Sequence, residues 1–394
     1  STQAKTLFPY TTLFRSVIGR PKSVTGHVCS ATRYQFWKKI SCYYVIRLVR
    51  GEEVFSNIRS TLWCTNKSRV MSVNDDGDLA EQNDAGEQSL SSTLRLNRWI
   101  YRIADVLKRR RHVRKLALDA QPDLRFRKLF DAIQQSDVED LRLSGFDLTE
   151  ADECQEIFSL PKIKRLDLDN VRLRPFVFSD LRENTVLQSL SVRFHCDDNH
   201  GALHSLAWAL PMNTTLLELD LDFDDEALSP MEDICRWLAN SPQLTSFGYN
   251  GPYPEVSHTL VIRAVAANTR LHKLSLSPVA SAMFPAIVDT LNTNSTLTSL
   301  YLSTFEDAPV DDGDIVDFFD CIASHPSLKS LDFEAFGCCD TEDAGAALIR
   351  AIESNTTLND LYVNYRFKGL DELSLRRAIN VNCTLTNVYV DGTR

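Results

Sequence analysis

A short pattern, apolar-x-x-apolar-x-apolar, recurs eleven times in this chain and constrains its fold more than any other feature. Successive copies begin 24 to 31 residues apart. The last four residues of each copy alternate between polar and apolar, which is the periodicity of a β-strand. The copies occupy residues 113–118, 138–143, 163–168, 187–192, 216–221, 244–249, 271–276, 297–302, 328–333, 358–363 and 385–390.

The stretches between copies carry a second pattern, with apolar residues three or four positions apart. This spacing predicts helices with one apolar side. A unit of one strand and one helix cannot bury its apolar sides alone, so consecutive units are expected to stack. Because helices are wider than paired strands, the stack predicts an α/β solenoid with a concave parallel sheet and convex helices. The helical positions are Leu203, Leu206 and Leu210, then Ile234/Leu238, Ile287/Leu291, Phe318/Ile322, Leu348/Ile352 and Leu375/Ile379.

Over residues 112–392 the repeat resembles that of ribonuclease-inhibitor-like leucine-rich-repeat proteins. The resemblance implies a horseshoe-shaped solenoid of about eleven repeats. Many strands follow Asn-x-Thr-Leu or a close variant, which suits the turn from helix to strand; these asparagines are Asn213, Asn268, Asn294, Asn355 and Asn382. The family also favours an asparagine shortly after the strand, but the first five repeats have Gln121, Phe146, Val171, His195 and Asp224 there. The chain is therefore a divergent member, and functional residues of relatives cannot be transferred to it.

The charge of the chain changes abruptly at residue 70. Residues 1–70 carry twelve Lys/Arg and two acids, whereas the remainder carries 31 Lys/Arg and 51 acids. Residues 6–16 resemble a translated sequencing adapter, and the first methionine is Met71. We interpret 1–70 as an artefact or an unstructured extension, and a basic targeting extension is the alternative. On this interpretation the biological chain begins at Met71.

Three segments follow residue 70. Residues 71–93 are polar and acidic, which predicts a disordered tail. Residues 94–111 have helical spacing and suit a capping helix over the first repeat. Residues 112–394 form the repeat domain. Since the chain stops directly after the last copy of the pattern, we expect that strand to be an uncovered edge of the sheet.

No enzyme motif occurs in the sequence. It lacks a P-loop, a GxSxG and an HExxH pattern. Cys338-Cys339-Asp340 has a weak similarity to the Cys-x-Asp nucleophile of bacterial repeat-bearing ubiquitin ligases, but it is predicted to lie in a strand-to-helix loop without an identifiable base. The ten cysteines show no paired CxxC spacing. We therefore expect a protein that is not an enzyme and that needs no cofactor and no metal.

The concave face is the predicted binding surface. Residues between the last two apolar positions of each strand, and those just after the last one, must point away from the core. These positions form two acidic patches and present exposed tyrosines, which are typical interface anchors. The predicted partner-binding residues are Asp167, Asp169, Asp220, Asp222, Tyr301, Asp332, Glu334, Tyr362 and Tyr389.

These features favour a protein-interaction scaffold or adaptor whose partner is a protein with a basic surface. The acidic repeat domain disfavours nucleic acid, no apolar run is long enough to span a membrane, and no signal peptide follows Met71. We expect a cytoplasmic protein, with a nuclear one as the alternative, and leave the oligomeric state open. Two other functions remain: a GTPase-activator-like regulator, although the long acidic tail of the Ran-directed activators is lacking, and the substrate-recognition part of a ubiquitin ligase.

Overall fold

The computed structural model describes most of the repeat region. The residues that the structure describes all lie within the unit Tyr44–Arg394. They are 46–49, 70–71, 103–109, 113–119, 127–148, 157–194, 200–223, 228–251, 255–304, 310–339, 341–368 and 370–391. The adapter-like run 6–16 and residues 72–93 of the predicted tail lie outside them. The interpretation of these segments stays a prediction.

Two short strands precede the repeats. Strand β1 (Ile46–Val49) pairs antiparallel both with β2 (Val70–Met71) and with β3 (Lys115–Asp119), the first strand of the repeat region. Residues 103–109 are helical, and Ile103 and Leu107 are buried. The capping helix over 94–111 stays a prediction, since only this part of it is described.

Among the described residues, eleven parallel strands, one for each copy of the pattern, lie side by side in one sheet in chain order, and β1 and β2 extend it beyond β3. This arrangement confirms the predicted leucine-rich-repeat solenoid. The strands are β3, β4 (Asp140–Ser144), β6 (Arg165–Asp169), β8 (Ser189–Phe194), β9 (Glu218–Phe223), β10 (Ser246–Asn250), β11 (Lys273–Val279), β12 (Ser299–Thr304), β13 (Ser330–Cys339), β14 (Asp360–Phe367) and β15 (Asn387–Asp391). Two-residue strands β5 (Asp147–Leu148) and β7 (Arg172–Leu173) pair with each other beside this sheet.

Helices connect the strands, and all six stretches with helical spacing are helical as predicted. The α-helices are α1 (Arg127–Gln134), α2 (His200–Ala209), α3 (Leu228–Asn240), α4 (Glu255–Ala267), α5 (Phe284–Thr293), α6 (Asp312–Ser324), α7 (Asp343–Ser354) and α8 (Glu372–Val381). Short 3-10 helices are Val177–Arg182, Leu210–Met212 and Ser281–Met283. The first of these takes the place of an α-helix between β6 and β8.

The apolar positions of the pattern form the core between sheet and helices. In the fifth repeat Leu216, Leu219 and Leu221 are each at most 1% exposed. Burial of one leucine side chain stabilises a fold by roughly 2 kcal/mol. Aromatic rings extend the contact from repeat to repeat, as where Phe194 of β8 stacks on Phe223 of β9 with 5.0 Å between ring centroids. Each repeat therefore depends on its neighbours for burial.

The turn asparagines join each repeat to the one before it. Asn268 is 2% exposed, and its Nδ2 donates to the carbonyls of Leu238 (2.6 Å) and Ser241 (3.2 Å). Its Oδ1 accepts from the backbone N–H groups of Arg270 (2.7 Å) and Leu271 (2.8 Å). The turn role predicted for the asparagines is thus confirmed, and similar bonds occur at Asn213, Asn294, Asn355 and Asn382.

Two residues with the same role were not identified by the sequence pattern. Asn184 makes the same kind of bonds, but Val186 stands where the pattern has threonine. In the ninth repeat His325 occupies the position, and its Nδ1 accepts from the N–H of Leu328 at 3.1 Å. The turn needs an acceptor that reaches two or three residues ahead, and both side chains supply one, His325 from a buried position and Asn184 from a partly buried one.

Replacement of Asn268 by alanine should destabilise the fold strongly. Carbonyls and N–H groups of two repeats would lose their partners inside the protein, which costs roughly 2–4 kcal/mol in free energy of unfolding. Urea denaturation measures this loss. Asn240→Ala is the matched control, because Asn240 is exposed and bonds only within its own helix; its effect should stay below about 0.5 kcal/mol. Equal losses in the two variants would contradict the role of Asn268.

Candidate functional site

One face of the sheet, called the open face below, carries the outward side chains of the eleven strands. The strand pairing places the residue between the last two apolar positions of each copy in a continuous row, which confirms the predicted register. These residues remain partly or largely exposed, apart from Gly248, while their neighbours along each strand are buried, except on β15, where Val388 and Val390 are only partly buried. The row runs Ala117, Arg142, Asp167, Ser191, Asp220, Gly248, Ser275, Tyr301, Asp332, Tyr362 and Tyr389.

At the N-terminal end, four residues predicted as part of an acidic patch lie among two arginines. Arg142 contacts Asp167 (3.3 Å) and Asp169 (2.9 Å). Arg193 contacts Asp169 at 3.0 Å and also pairs with Asp222. We call these five residues the charged cluster. Since the side chains of Asp169 and Asp222 are only 18% and 17% exposed, much of their charge is balanced inside the protein.

The arginines change what the predicted patch can offer to a partner. Three of its acids, Asp167, Asp169 and Asp222, already have guanidinium partners. Arg142 and Arg193 occupy outward positions of the same pattern, so the signal was present in the sequence. The acids stood out because they recur at matching positions, whereas the ion pairs join residues on neighbouring strands, which one repeat considered alone does not reveal.

Asp220 lies beside the charged cluster and leans over Gly248 on the next strand. A Cβ atom at Gly248 would overlap Asp220 Oδ1, so glycine leaves room for this carboxylate. Asp220 can be reached by solvent, yet the surrounding protein reduces its hydration. This loss of hydration, followed by the negative charges of Asp222 and Asp167, raises the pKa of Asp220. Loss of hydration also raises the pKa of Asp167, against the opposing charge of Arg142.

The C-terminal end of the open face combines tyrosines with carboxylates. Tyr362 and Tyr389 stack, with 4.6 Å between ring centroids and 7° between planes. The Tyr301 hydroxyl donates to Glu334 Oε2 at 3.2 Å. Asp332 lies in register between Tyr301 and Tyr362. We call these five residues the tyrosine–carboxylate surface, and all of them belong to the predicted set.

Asp332 is the least satisfied group on this surface. Its Oδ1 is shielded from solvent and has no hydrogen-bond partner among the described residues. Within the same part of the chain no Lys or Arg pairs with Asp332 or Glu334. Burial, followed by the charge of Glu334, raises the pKa of Asp332. Burial likewise raises the pKa of Tyr301.

The cysteine pair does not lie where the sequence placed it. Strand β13 continues through Cys339, because pairing with β14 resumes after an irregularity between Glu334 and Cys338. The predicted loop position of Cys338-Cys339 is therefore wrong, and their side chains lie outside the described residues. Of the described cysteines, Cys235 and Cys321 are buried, and burial raises the pKa of their thiols to about 12 and about 11.

The described residues show neither a metal-binding cluster nor a membrane-spanning helix. They contain no group of three or more His, Cys, Asp or Glu residues placed to hold a metal ion. None of the described helices has the length and apolar character needed to cross a bilayer.

Comparison with protein-family models and with curated proteins finds no match. Among solved structures the chain is similar to Leiomodin-1 Actin-Binding Site 2, at 18% identity and a TM-score of 0.33, over 40% of this chain and 90% of that one. It is also similar to the TLR13–ssRNA13 complex, at 15% identity and a TM-score of 0.33, over 69% of this chain and 35% of that one. At these values the similarities carry no argument about function.

Loss of Arg193 should destabilise the protein, because it bridges two carboxylates that are mostly buried. We expect Arg193→Gln to lower the free energy of unfolding by about 1–3 kcal/mol. Arg236→Gln is the matched control: its pair with Asp233 is exposed on both sides, and such pairs contribute about 0–1 kcal/mol. Urea titration of both variants compares them. If Arg236→Gln costs as much as Arg193→Gln, the charged cluster has no special structural role.

Asp332→Asn should stabilise the protein at neutral pH. The folded-state pKa of Asp332 is raised above the ordinary aspartate value of 3.8, so the carboxylate binds protons more tightly when folded. Its ionised form therefore costs stability above the raised pKa, and this cost disappears as pH falls to the unfolded value. Removal of the like-charge contact with Glu334 should add roughly 0.5–1 kcal/mol at pH 7.

Thermal melts from pH 7 downwards test this expectation, with Asp371→Asn as a control of opposite sign. Asp371 caps α8, and hydrogen bonds from Ser374 lower the pKa of its carboxyl group. The ionised carboxylate of Asp371 therefore stabilises the fold at pH values above the ordinary aspartate pKa of 3.8. Asp371→Asn should lower the melting temperature at neutral pH, and the loss should vanish in acid. An Asp332→Asn variant less stable than wild type at pH 7 would show that its carboxylate is satisfied.

Proposed function

We propose that this chain is a protein-interaction scaffold or adaptor, not an enzyme, and that its partner docks on the open face. The observation that carries the proposal is the continuous row of outward side chains across eleven strands. From β3 to β14 each strand is anchored by buried residues on either side of the outward one, so this part of the row is rigid. A rigid surface loses little conformational entropy when it binds.

The tyrosine–carboxylate surface supports the same proposal. Tyr389 is 48% exposed and stacks on Tyr362, so two aromatic rings are held in place before a partner arrives. Aromatic residues of this kind are frequent among the residues that dominate binding energy. We further infer that the chain is a divergent member of the ribonuclease-inhibitor-like class, from the repeat and its turn asparagines.

We propose that the partner is a protein with a basic surface and not a nucleic acid. Asp220, Asp332 and Glu334 have no ion pair among the described residues, and 71–394 carries a large excess of acids. A cationic protein would be attracted to these carboxylates, whereas phosphate would be repelled. Such attraction speeds association and weakens with added salt.

The test begins with the full chain as bait and continues with the kinetics of the captured partner. Asp220→Asn combined with Asp332→Asn should slow association and reduce its dependence on salt. Tyr362→Ala should mainly speed dissociation, with a loss of about 1–3 kcal/mol in binding free energy. Surface plasmon resonance at several salt concentrations separates the two rates.

Glu232→Gln and Asp289→Asn are the matched controls, because both acids are exposed on helices. Neither should change the binding of a partner on the open face. If the helix variants weaken binding as much as the open-face variants, or if salt leaves the association rate unchanged, the proposal is wrong.

A further inference from the structure

We infer that His325 makes the joint between the eighth and ninth repeats sensitive to acid, so that this joint opens when the ring takes up a proton. The histidine joint, as named below, is the contact between turn 294–297 and turn 325–328. The inference is independent of the proposed function, because it concerns a contact in the interior. It starts from a comparison between His325 and the asparagines that hold its position in other repeats.

An asparagine at this position satisfies two sets of backbone groups at once. Asn294 Oδ1 accepts from the N–H groups of Thr296 (2.9 Å) and Leu297 (3.1 Å) in its own turn. Its Nδ2 donates to the carbonyls of Val265 (3.1 Å) and Asn268 (3.0 Å) in the preceding repeat. An amide side chain keeps its donor and its acceptor in mild acid. The joints that asparagines form are therefore insensitive to such a change.

His325 fulfils only the first of these two roles. Its Nδ1 accepts from the N–H groups of Leu328 (3.1 Å) and Ser327 (3.4 Å). Its Nε2 is shielded from solvent and has no hydrogen-bond partner among the described residues. The turn thus depends on Nδ1, and Nδ1 can accept only while it carries no proton.

A protonated ring conflicts with the geometry of this turn. Neutral imidazole has one acceptor nitrogen, whereas imidazolium has two donors and no acceptor. A proton on Nδ1 would face the N–H group of Leu328, and two donors repel each other. Rotation of the ring by half a turn would bring the other nitrogen to the same place, but in imidazolium that nitrogen is also a donor. The folded turn therefore accommodates the neutral ring alone.

Burial acts in the same direction. His325 is 3% exposed, so a charged ring would lose its hydration in the folded protein. This loss lowers the pKa of His325, and the carbonyl of Asn294 opposes the effect only in part. The ring can be hydrated as a cation only after the histidine joint opens.

The charged groups around the histidine joint do not offset this effect. On the packed elements the nearest titratable or charged side chains along the chain are Asp289 of α5, Asp320 and Cys321 of α6, Lys329 after the turn, and Arg350 and Glu353 of α7. All except Cys321 are exposed, and Asp320 pairs with Arg350. None of their charges contributes to the pKa of His325. Burial raises the pKa of the Cys321 thiol to about 11, so this group stays neutral in mild acid.

Opening of the histidine joint would affect its neighbours on two sides. The next turn rests on it, because Thr357 Oγ1 donates to the His325 carbonyl at 3.1 Å and Asn355 Nδ2 donates to the Ile322 carbonyl at 2.6 Å. On the open face, the hydrogen bond from Tyr301 to Glu334 joins β12 to β13, the strands that follow the two turns. A change in this interior turn can therefore reach the tyrosine–carboxylate surface.

The sign of the pH dependence follows from the lowered pKa. Above the ordinary histidine value of 6.5, the ring is neutral in both the closed and the opened joint, and His325 adds no pH dependence. Below this value the opened joint binds a proton that the closed joint excludes. The equilibrium constant for opening should then rise by up to about tenfold per pH unit, which is the limit for one proton. The rise ends once the pH reaches the pKa of the closed joint.

Hydrogen exchange on the full chain, resolved by NMR, tests this expectation between about pH 7.5 and about pH 5.5. Exchange rates are corrected for their intrinsic dependence on pH. The amide of Leu328, which bonds to His325, should lose protection below pH 6.5. The amide of Leu271 is the internal control, because it bonds in the same way to Asn268 Oδ1 at 2.8 Å. Its corrected protection should not change.

His325→Asn is the decisive variant, because it introduces the residue that other repeats have at this position. It should fold, and its Leu328 amide should stay protected in acid. His204→Asn is the matched control, since His204 is exposed on α2; it should keep the wild-type acid response. Urea denaturation should show a wild-type deficit relative to His325→Asn that grows by up to about tenfold in the unfolding constant per pH unit below 6.5. The buried His258 is present in every variant, so its contribution cancels in this comparison.

The inference is overturned if Leu328 and Leu271 lose protection together, if Leu328 stays protected in acid, or if His325→Asn keeps the acid response of the wild type. It is also overturned if His204→Asn removes that response. Loss of protection that is confined to the histidine joint and abolished by His325→Asn is the expected result. The wild-type comparison of Leu328 with Leu271 decides by itself if the variant does not fold.

Discussion

The fold depends on the fact that no repeat can bury its own apolar side. The leucines of each strand are covered only when the next strand and helix lie against them, and the turn asparagines bond to carbonyls of the preceding repeat. Both interactions act between neighbours, so stability is transmitted along the solenoid one interface at a time. The same dependence holds the strands in register, since a shift by one residue would expose every buried position of a strand. The open face is thus a consequence of the packing beneath it.

The buried core and the strands that form it could be predicted from the sequence, because burial leaves a strong apolar pattern. Burial requires apolar residues at three positions of every copy, and this requirement disclosed the strands, their order and their outward rows. His325 shows where the signal weakens. The turn requires an acceptor of suitable reach rather than one residue type, so a pattern written around asparagine missed it. Asn184 keeps the asparagine and the leucine of the pattern and could have been recognised, as Asn268 was with Arg270 at the threonine position. Strand β13 extends through Cys339 because pairing resumes after an irregularity, and nothing in an alternating pattern marks such a continuation.

For the outward side chains of the sheet, the sequence predicted their positions but not their interactions with one another. Sequence reasoning placed Asp167, Asp169 and Asp222 on the correct face and interpreted them as an acidic patch. Their ion pairs with Arg142 and Arg193 cross from one strand to the next, between residues 24 to 29 positions apart in the chain. A position within one repeat does not reveal such partners. The contrast with Asp332 and Glu334, whose neighbours are Tyr301 and Asn364, could have been drawn from the sequence only after the register was known.

This contrast also explains how one scaffold can carry different surfaces. Outward positions add little to the core, so charges and rings can change there without loss of the fold. The effect of each choice is local. A carboxylate beside an arginine is satisfied by the protein itself, whereas Asp332 has one carboxylate oxygen without a hydrogen-bond partner among the described residues. An internal pair stabilises the free protein and leaves little for a partner to gain. An unmet group lowers the stability of the free protein and makes that free energy available on binding. The N-terminal end of the open face has internal ion pairs, whereas the tyrosine–carboxylate surface includes a group without a partner among the described residues.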